Sequence, residues 1–247
     1  MTKRLAVINY KGGTGKTSTT VNLAHALALQ GKKVLIVDID PQGSAGYYLG
    51  LDTDISLYDA LMNIRPITQC IQTARPNLHI ICSNERLFVA EVKLASRPKK
   101  ETILRSLLHS VTGYDYILID CPPSMNIMNQ NALTFADEVL IPVAMEYLSL
   151  VGIRQLLKNI QIVNKILHKE LTVCKVIPTF YDARNQKTQH IIESLERVFP
   201  GRLSSPIRFN VALSEAPGHR QTIFDFDPKS KGALDYMKLA KEVLNNG

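Results

Sequence analysis

Lys11 to Ser18, KGGTGKTS, interleaves three glycines with two lysines and three hydroxyl side chains. Residues without a Cβ let backbone N–H groups turn inward around an anion. Lys16 is then placed to neutralise the β- and γ-phosphates of a nucleotide, and the Thr17 hydroxyl to hold Mg²⁺. Three carboxylates stand where such a site needs them: Asp38 and Asp40 in VDIDPQG, and Asp120 at the end of YDYILID. A fixed carboxylate orders the water shell of Mg²⁺, and another can orient an attacking water. Two aspartates ahead of Pro41 are also what a helix cap would look like.

The elements that must position these residues follow from hydrophobic periodicity. Leu5 to Asn9 is a short apolar run, Lys11 to Thr17 a loop, and the pattern turns helical from Ser18, continuing through Val21 to Leu29 with Gly31 as C-cap. Lys33 to Val37 reads as the next strand, ended by Pro41 and Gly43; alternation puts Asp38 and Asp40 on one side and Ile39 on the other. Further strands are expected at Leu78 to Cys82, Tyr114 to Asp120, Glu138 to Val143 and Thr172 to Pro178. Helices are expected at Ser56 to Met62, Lys100 to Leu108, Gly152 to Ile166 and Ala233 to Leu244. Residues 44–112 are otherwise the least informative. Strands alternating with helices, without repeat or linker, predict one doubly wound α/β domain over residues 1–247, its mainly parallel sheet covered by helices on both faces. In such sheets ligands bind at the carboxyl ends of the strands, where the loop and the aspartates would meet.

The chain has 247 residues, 45% of them hydrophobic, which is enough for a large core. No apolar run reaches the roughly 18 residues of a membrane span, and no signal peptide precedes the first strand, so a cytoplasmic protein is expected. Cys70, Cys82, Cys121 and Cys174 are far apart and read as reduced core residues; the histidines show no metal-binding spacing. A net charge of +7 permits polyanion binding. Residues 151–187 concentrate it, with seven basic side chains against two acidic ones, whereas the basic run from Lys93 to Glu101 reads as a solvated surface.

The literal G-x-x-x-x-G-K-[ST] pattern fails, because its first glycine would fall on Tyr10. KGGTGKT instead resembles the deviant Walker A motif of the ParA/MinD group. VDIDPQG, DYILIDCPPS, PTFYDAR, NVALSEAP and DPKSKGA follow in the order found in ParA/Soj-type partition ATPases, so the resemblance spans nearly the whole chain. It implies a deviant Walker P-loop NTPase that binds ATP and Mg²⁺ and dimerises on ATP. It further implies non-specific binding of double-stranded DNA, stimulation by a ParB-like centromere-binding partner, no membrane, and a nucleoid-associated place in the cytoplasm.

Carried onto this sequence, the resemblance makes Lys11, Lys16 and Asp40 catalytic, with Lys11 reaching a partner subunit's nucleotide and having no evident task in its own. Gly12, Gly13, Thr14, Gly15, Thr17, Ser18, Phe180 and Asn210 would join the two lysines around the nucleotide. Thr17, Asp38 and Asp120 would serve the metal, Asp38 through water. Two arginines and a proline common in the family are here Phe209, Ala212 and Arg208, so DNA contacts would rest on Arg184, Arg208, Arg220 and Lys229. Two alternatives are a MinD-like membrane-cycling ATPase, which needs a free terminal amphipathic helix, and a metabolic enzyme on the same scaffold. An amide ligase of that kind is expected to bring a second substrate domain, and a cluster-bearing reductase paired cysteines.

Overall fold

The computed structural model describes residues 2–146 and 149–245. Among them seven strands form one sheet: β1 (Lys3–Val7), β2 (Val34–Asp38), β3 (Ile71–Arg75), β4 (Leu78–Ile81), β5 (Tyr116–Asp120), β6 (Glu138–Ala144) and β7 (Thr172–Thr179). Their order is β3-β4-β2-β5-β1-β6-β7, and every neighbouring pair is parallel except β3 with β4. β2 and β5 are buried throughout and read as apolar runs that end in an aspartate, whereas the edge strand β3 is half-exposed. Alternate residues point into two cores. Ala6, Leu35, Val37, Ile117 and Ile119 join one, and Leu5, Val7, Val34, Ile36 and Leu118 the other. Each fully buried side chain of this size contributes about 1.5–3 kcal/mol.

Eleven helices cover the sheet: α1 (Lys16–Leu29), α2 (Ser44–Leu49), α3 (Leu57–Leu61), α4 (Arg86–Leu94), α5 (Ile103–Leu108), α6 (Ile127–Phe135), α7 (Ser149–Leu167), α8 (Gln186–Val198), α9 (Val211–Glu215), α10 (Ile223–Phe226) and α11 (Lys231–Leu244). Leu57, Leu87, Leu104, Met128, Leu156 and Ile191 bring α3 to α8 onto the first core. Leu23, Leu49, Ile223, Tyr236 and Val243 bring α1, α2, α10 and α11 onto the second. The expected doubly wound α/β architecture is therefore present.

Several boundaries differ from the sequence expectation. β1 begins at Lys3, where its ladder to β5 starts, and ends at Val7. α1 begins at Lys16 because Gly15 adopts a left-handed conformation and caps it. Residues 100–102 form a 3-10 turn ahead of α5. Helices α2, α4, α6, α8, α9 and α10 and the edge strand β3 were not expected. In α6, Asn129, Asn131 and Thr134 are buried together with the apolar residues, which erases the amphipathic pattern that would mark it.

The four cysteines are buried and form no disulfide, in keeping with reduced core residues. The segment Lys93–Pro98 is exposed apart from Leu94, in keeping with a solvated surface. No described helix is long and apolar enough to cross a membrane. The apolar face of α11 is spent on the second core through Tyr236, Leu239, Ala240 and Val243, which leaves no free amphipathic face for lipid. Asn246 and Gly247 lie outside the described residues.

Gly43 fixes the turn between β2 and α2. Its φ is +62°, and a Cβ there would sit 2.6 Å from the Ser83 carbonyl oxygen. Gly43→Ala therefore combines left-handed strain with a backbone clash, and is expected to destabilise the fold by about 2 kcal/mol. A fall in the urea midpoint at unchanged slope checks this; an unchanged midpoint would show that the turn yields.

Candidate nucleotide and metal site

The loop between β1 and α1 leaves the carboxyl edge of the sheet at its centre, between β5 and β6. Asn9 pins its base: Nδ2 donates to the Pro142 carbonyl at 2.8 Å, and Oδ1 accepts the Lys11 amide at 3.0 Å. The Thr179 hydroxyl donates to the Thr14 carbonyl at 2.9 Å and ties the loop to β7. Gly15, at φ +81°, has Thr179 and Phe180 within 3.8 Å of where a Cβ would be. As an N-cap without a side chain, it leaves the first amides of α1 open to an anion. The Thr14 hydroxyl is buried in the same loop with no hydrogen-bond partner. Open amides and an orphaned hydroxyl fit a phosphate chain.

Lys16 is 8% exposed, and its ammonium donates to the Lys11 carbonyl at 3.0 Å. Burial pushes its pKa down, opposed by the charges of Asp120 and Asp40. A desolvated ammonium held beside open amides is what a phosphate oxygen would satisfy. Lys11 differs from expectation, since it does have a partner in its own subunit. Its Nζ forms an ion pair with Glu146, which lies just beyond β6, and donates to the Ser149 hydroxyl at 3.3 Å. Glu146 went unnoticed in the sequence, where it stands two residues past the end of β6.

Asp120 is fully buried; its two oxygens accept from the Thr17 hydroxyl at 2.7 Å and the Thr20 hydroxyl at 2.8 Å. Thr20 was missed, yet its place one helical turn after Thr17 puts it on the same face of α1. Burial raises the Asp120 pKa to about 6, against the pull of the two hydroxyls. Asp38 stands directly opposite Asp120 on the neighbouring strand. Burial, followed by the Asp120 charge, holds the Asp38 carboxyl well above the usual range. Two buried carboxylates side by side call for a cation. Among the described residues no group of three or more His, Cys, Asp or Glu is placed to hold a metal. Mg²⁺ on a polyphosphate needs only one or two protein oxygens, and Thr17 with Asp120 can supply them.

Asp38 also serves the turn that follows β2. Oδ1 accepts the Asp40 amide at 3.0 Å and Oδ2 the Ala45 amide at 3.1 Å. Each oxygen thus holds one backbone amide of the turn or of the start of α2, which is the capping role, and keeps a second lone pair; the Asp120 charge acts on the Asp38 carboxyl. β2 ends at Asp38, so Asp40 lies beyond the strand and not in its alternation. Half-buried Asp40 accepts the Gln42 amide at 3.0 Å, and its charge is felt at Lys16 and Asp120.

A cavity of about 250 Å³ adjoins the loop, lined by Gly15, Ser18, Phe180, Asn210, Pro217 and Tyr236 among others. Ser18, Phe180 and Asn210, three of the residues expected around the nucleotide, thus line one cavity beside Gly15. Asn210 caps α9 through Oδ1, which accepts the Ala212 amide at 2.8 Å. Pro217 and Tyr236 were not anticipated.

The basic residues expected on DNA are only partly brought together. Arg208 bridges to Tyr181 just past β7, but its guanidinium is taken up by Asp235 of α11, with bonds of 2.6 to 3.1 Å. Its charge is offset there, and it also lines the cavity beside Gly15. Arg184 is exposed and pairs with Asp182, whose carboxyl it pulls down to about 2. Arg220 is exposed over the Tyr47 ring, 5.1 Å from its centroid, and Lys229 is exposed in the turn before α11.

Residues 2–173 match the model of the AAA domain family (AAA_31). The chain is 43% identical over 253 residues to the sporulation initiation inhibitor protein Soj of Bacillus subtilis, covering 100% of both. It is 36% identical over 249 residues to the chromosome partitioning protein ParA of Caulobacter vibrioides, covering 98% of this chain and 93% of that one. A solved structure of Mycobacterium smegmatis cobyrinic acid a,c-diamide synthase with bound ADP and magnesium superposes with a TM-score of 0.86 at 31% identity, covering 99% and 95%. That coverage removes the expectation that an amide ligase of this scaffold must carry a further domain. Full-length identity to Soj and ParA, together with the phosphate loop set against Asp120, shows that the chain belongs to the AAA domain family and, within the ParA/MinD superfamily, to the ParA/Soj-type partition ATPases.

Proposed function

We propose that this chain binds ATP with Mg²⁺, pairs with a second copy around two nucleotides, holds duplex DNA in that state, and hydrolyses ATP faster when a ParB-like protein engages it. Lys16, the open amides of α1 and the Thr14 hydroxyl bind the phosphates, and Phe180 and Asn210 flank the base. Asp40 orients water at the mouth of the loop. Thr17 and Asp120 hold Mg²⁺, which when bound neutralises charge on the β- and γ-oxygens. Lys11 exchanges Glu146 for the partner subunit's nucleotide. The hydrogen bond from Thr17 to Asp120 at 2.7 Å, within the cradle formed by the loop, is the observation that carries this reading. Its place is the cytoplasm, on the nucleoid.

DNA binding through phosphates alone is independent of sequence and steeply salt-dependent. A monomer offers Arg184, Arg220 and Lys229; doubling them in an ATP-bound dimer multiplies the simultaneous contacts. Fluorescence anisotropy on a long random duplex is expected to show tight binding with ATP and little with ADP. Arg184→Glu is expected to lower affinity by about tenfold with ATP binding intact. No ATP-dependent binding at low salt would refute the DNA role. The similarity to a diamide synthase supports a second reading, an ATP-dependent amide ligase. Turnover stimulated by a small carboxylic acid and indifferent to DNA would favour it.

A further inference from the structure

Glu91 lies on α4, half-buried, and its Oε1 accepts the Asn126 side-chain amide at 2.7 Å. Asn126 begins α6, its own Oδ1 accepting the Asn129 amide at 2.9 Å, and it ends the loop that follows Asp120. Asn129 then donates to the Pro122 carbonyl at 3.0 Å and to that of Ser124, so the loop is folded back on Asn126's helix. Pro123 in this loop is 4.0 Å from where a Cβ on Gly12 would stand, which places it against the phosphate loop.

The other end of α4 reaches the Asp40 turn. Gly43 packs on the Ser83 carbonyl and Asn84, and Asn84 Oδ1 accepts the Arg86 amide at 3.1 Å at the start of α4. The segment Ser83–Asn84 with the helix that follows it thus touches both the turn that carries Asp40 and the loop that leaves Asp120. The Asp40 charge is felt at Glu91, whose carboxyl is raised to about 6, first by burial and then by that charge. Its Oε2 has no hydrogen-bond partner among the described residues.

We propose that Glu91 is a positioning residue for hydrolysis: through Asn126 it holds the 121–126 loop against the phosphate loop, in register with the turn that carries Asp40. This rests on the ATPase reading above. Glu91 touches neither phosphate nor metal ligand; it acts by fixing the loop that frames them. The hydrogen bond needs an acceptor at position 91 and a donor at position 126, and does not need the negative charge.

The test uses the full chain and two readouts, basal Mg-ATP turnover and amide hydrogen exchange without nucleotide. Glu91→Ala removes the acceptor. Asn126→Ser removes the donor while a serine can still cap α6. Each is expected to lower kcat by about tenfold with KM for ATP within about twofold, and the double variant to be no worse than either. Glu91→Gln keeps an acceptor and is expected to restore kcat to within about threefold of wild type. In the nucleotide-free protein, exchange across residues 121–126 is expected to quicken in Glu91→Ala and Asn126→Ser and to return to the wild-type rate in Glu91→Gln. Unchanged exchange and kcat in Glu91→Ala, additive losses in the double variant, or a Glu91→Gln protein as impaired as Glu91→Ala would each overturn the proposal. A wild-type protein without ATP turnover would overturn the ATPase reading instead, and the exchange data would still decide the contact between Glu91 and Asn126.

Discussion

Lys16→Ala is expected to lower ATP affinity by about 10²- to 10³-fold, the largest effect of any single substitution in this chain. The ammonium is buried and among the described residues donates to the Lys11 carbonyl, so the loop bears its desolvation cost until an anion arrives. Truncation removes both that cost and the charge-assisted bond to phosphate. The two consequences have opposite signs. Without nucleotide, the thermal midpoint of Lys16→Ala should equal or slightly exceed that of wild type, because an unpaired buried charge has gone. With ATP at a hundred times the wild-type Kd, wild type should gain about 2.7 kcal/mol by mass action, and the variant almost nothing. Thermal-shift titration with and without ATP measures both. A variant that keeps a wild-type ATP-induced shift would show that the open amides of α1 suffice and that Lys16 is incidental.

Asp40→Ala is expected to separate binding from turnover. Asp40 belongs to the turn and not to the phosphate cradle, so affinity for ATP should stay within about threefold of wild type. A side chain that orients the attacking water contributes roughly 10²- to 10³-fold, and kcat should fall by that much. The turn itself should survive, because Asp38 still accepts the backbone amides of residues 40 and 45 and Gly43 keeps its contact with Ser83. Nucleotide that is bound and not consumed should hold the dimer, so Asp40→Ala with ATP should elute as a dimer under conditions where wild type returns to monomer. Single-turnover kinetics together with size-exclusion chromatography provide the check. Elution of Asp40→Ala only as monomer, or hydrolysis at the wild-type rate, would remove the assignment.

The amino-acid order by itself determined the phosphate loop, because three glycines, a lysine and a threonine between a strand and a helix leave little other chemistry available to that segment. It also determined that Asp120 closes a buried strand, and that alternating strands and helices wind into one sheet. These are local properties, set by side-chain type and by a period of two or 3.6 residues. What escaped included both elements and pairings. Helices α2 and α6 left no amphipathic signal, since α2 is short and α6 is buried through its asparagines as well as its apolar residues. The pairing of charges escaped because it depends on which loops the topology brings to one edge of the sheet. Lys11 meets Glu146 from 135 residues away, and Arg208 meets Asp235 across 27. A basic residue in the sequence carries a sign but not a partner. Arg208 and Arg184 look alike until the fold sets one against a mostly buried aspartate of α11 and leaves the other in solvent. The same holds for Asp38, whose hold on the amides of residues 40 and 45 depends on the turn after β2 bringing them to hydrogen-bond distance.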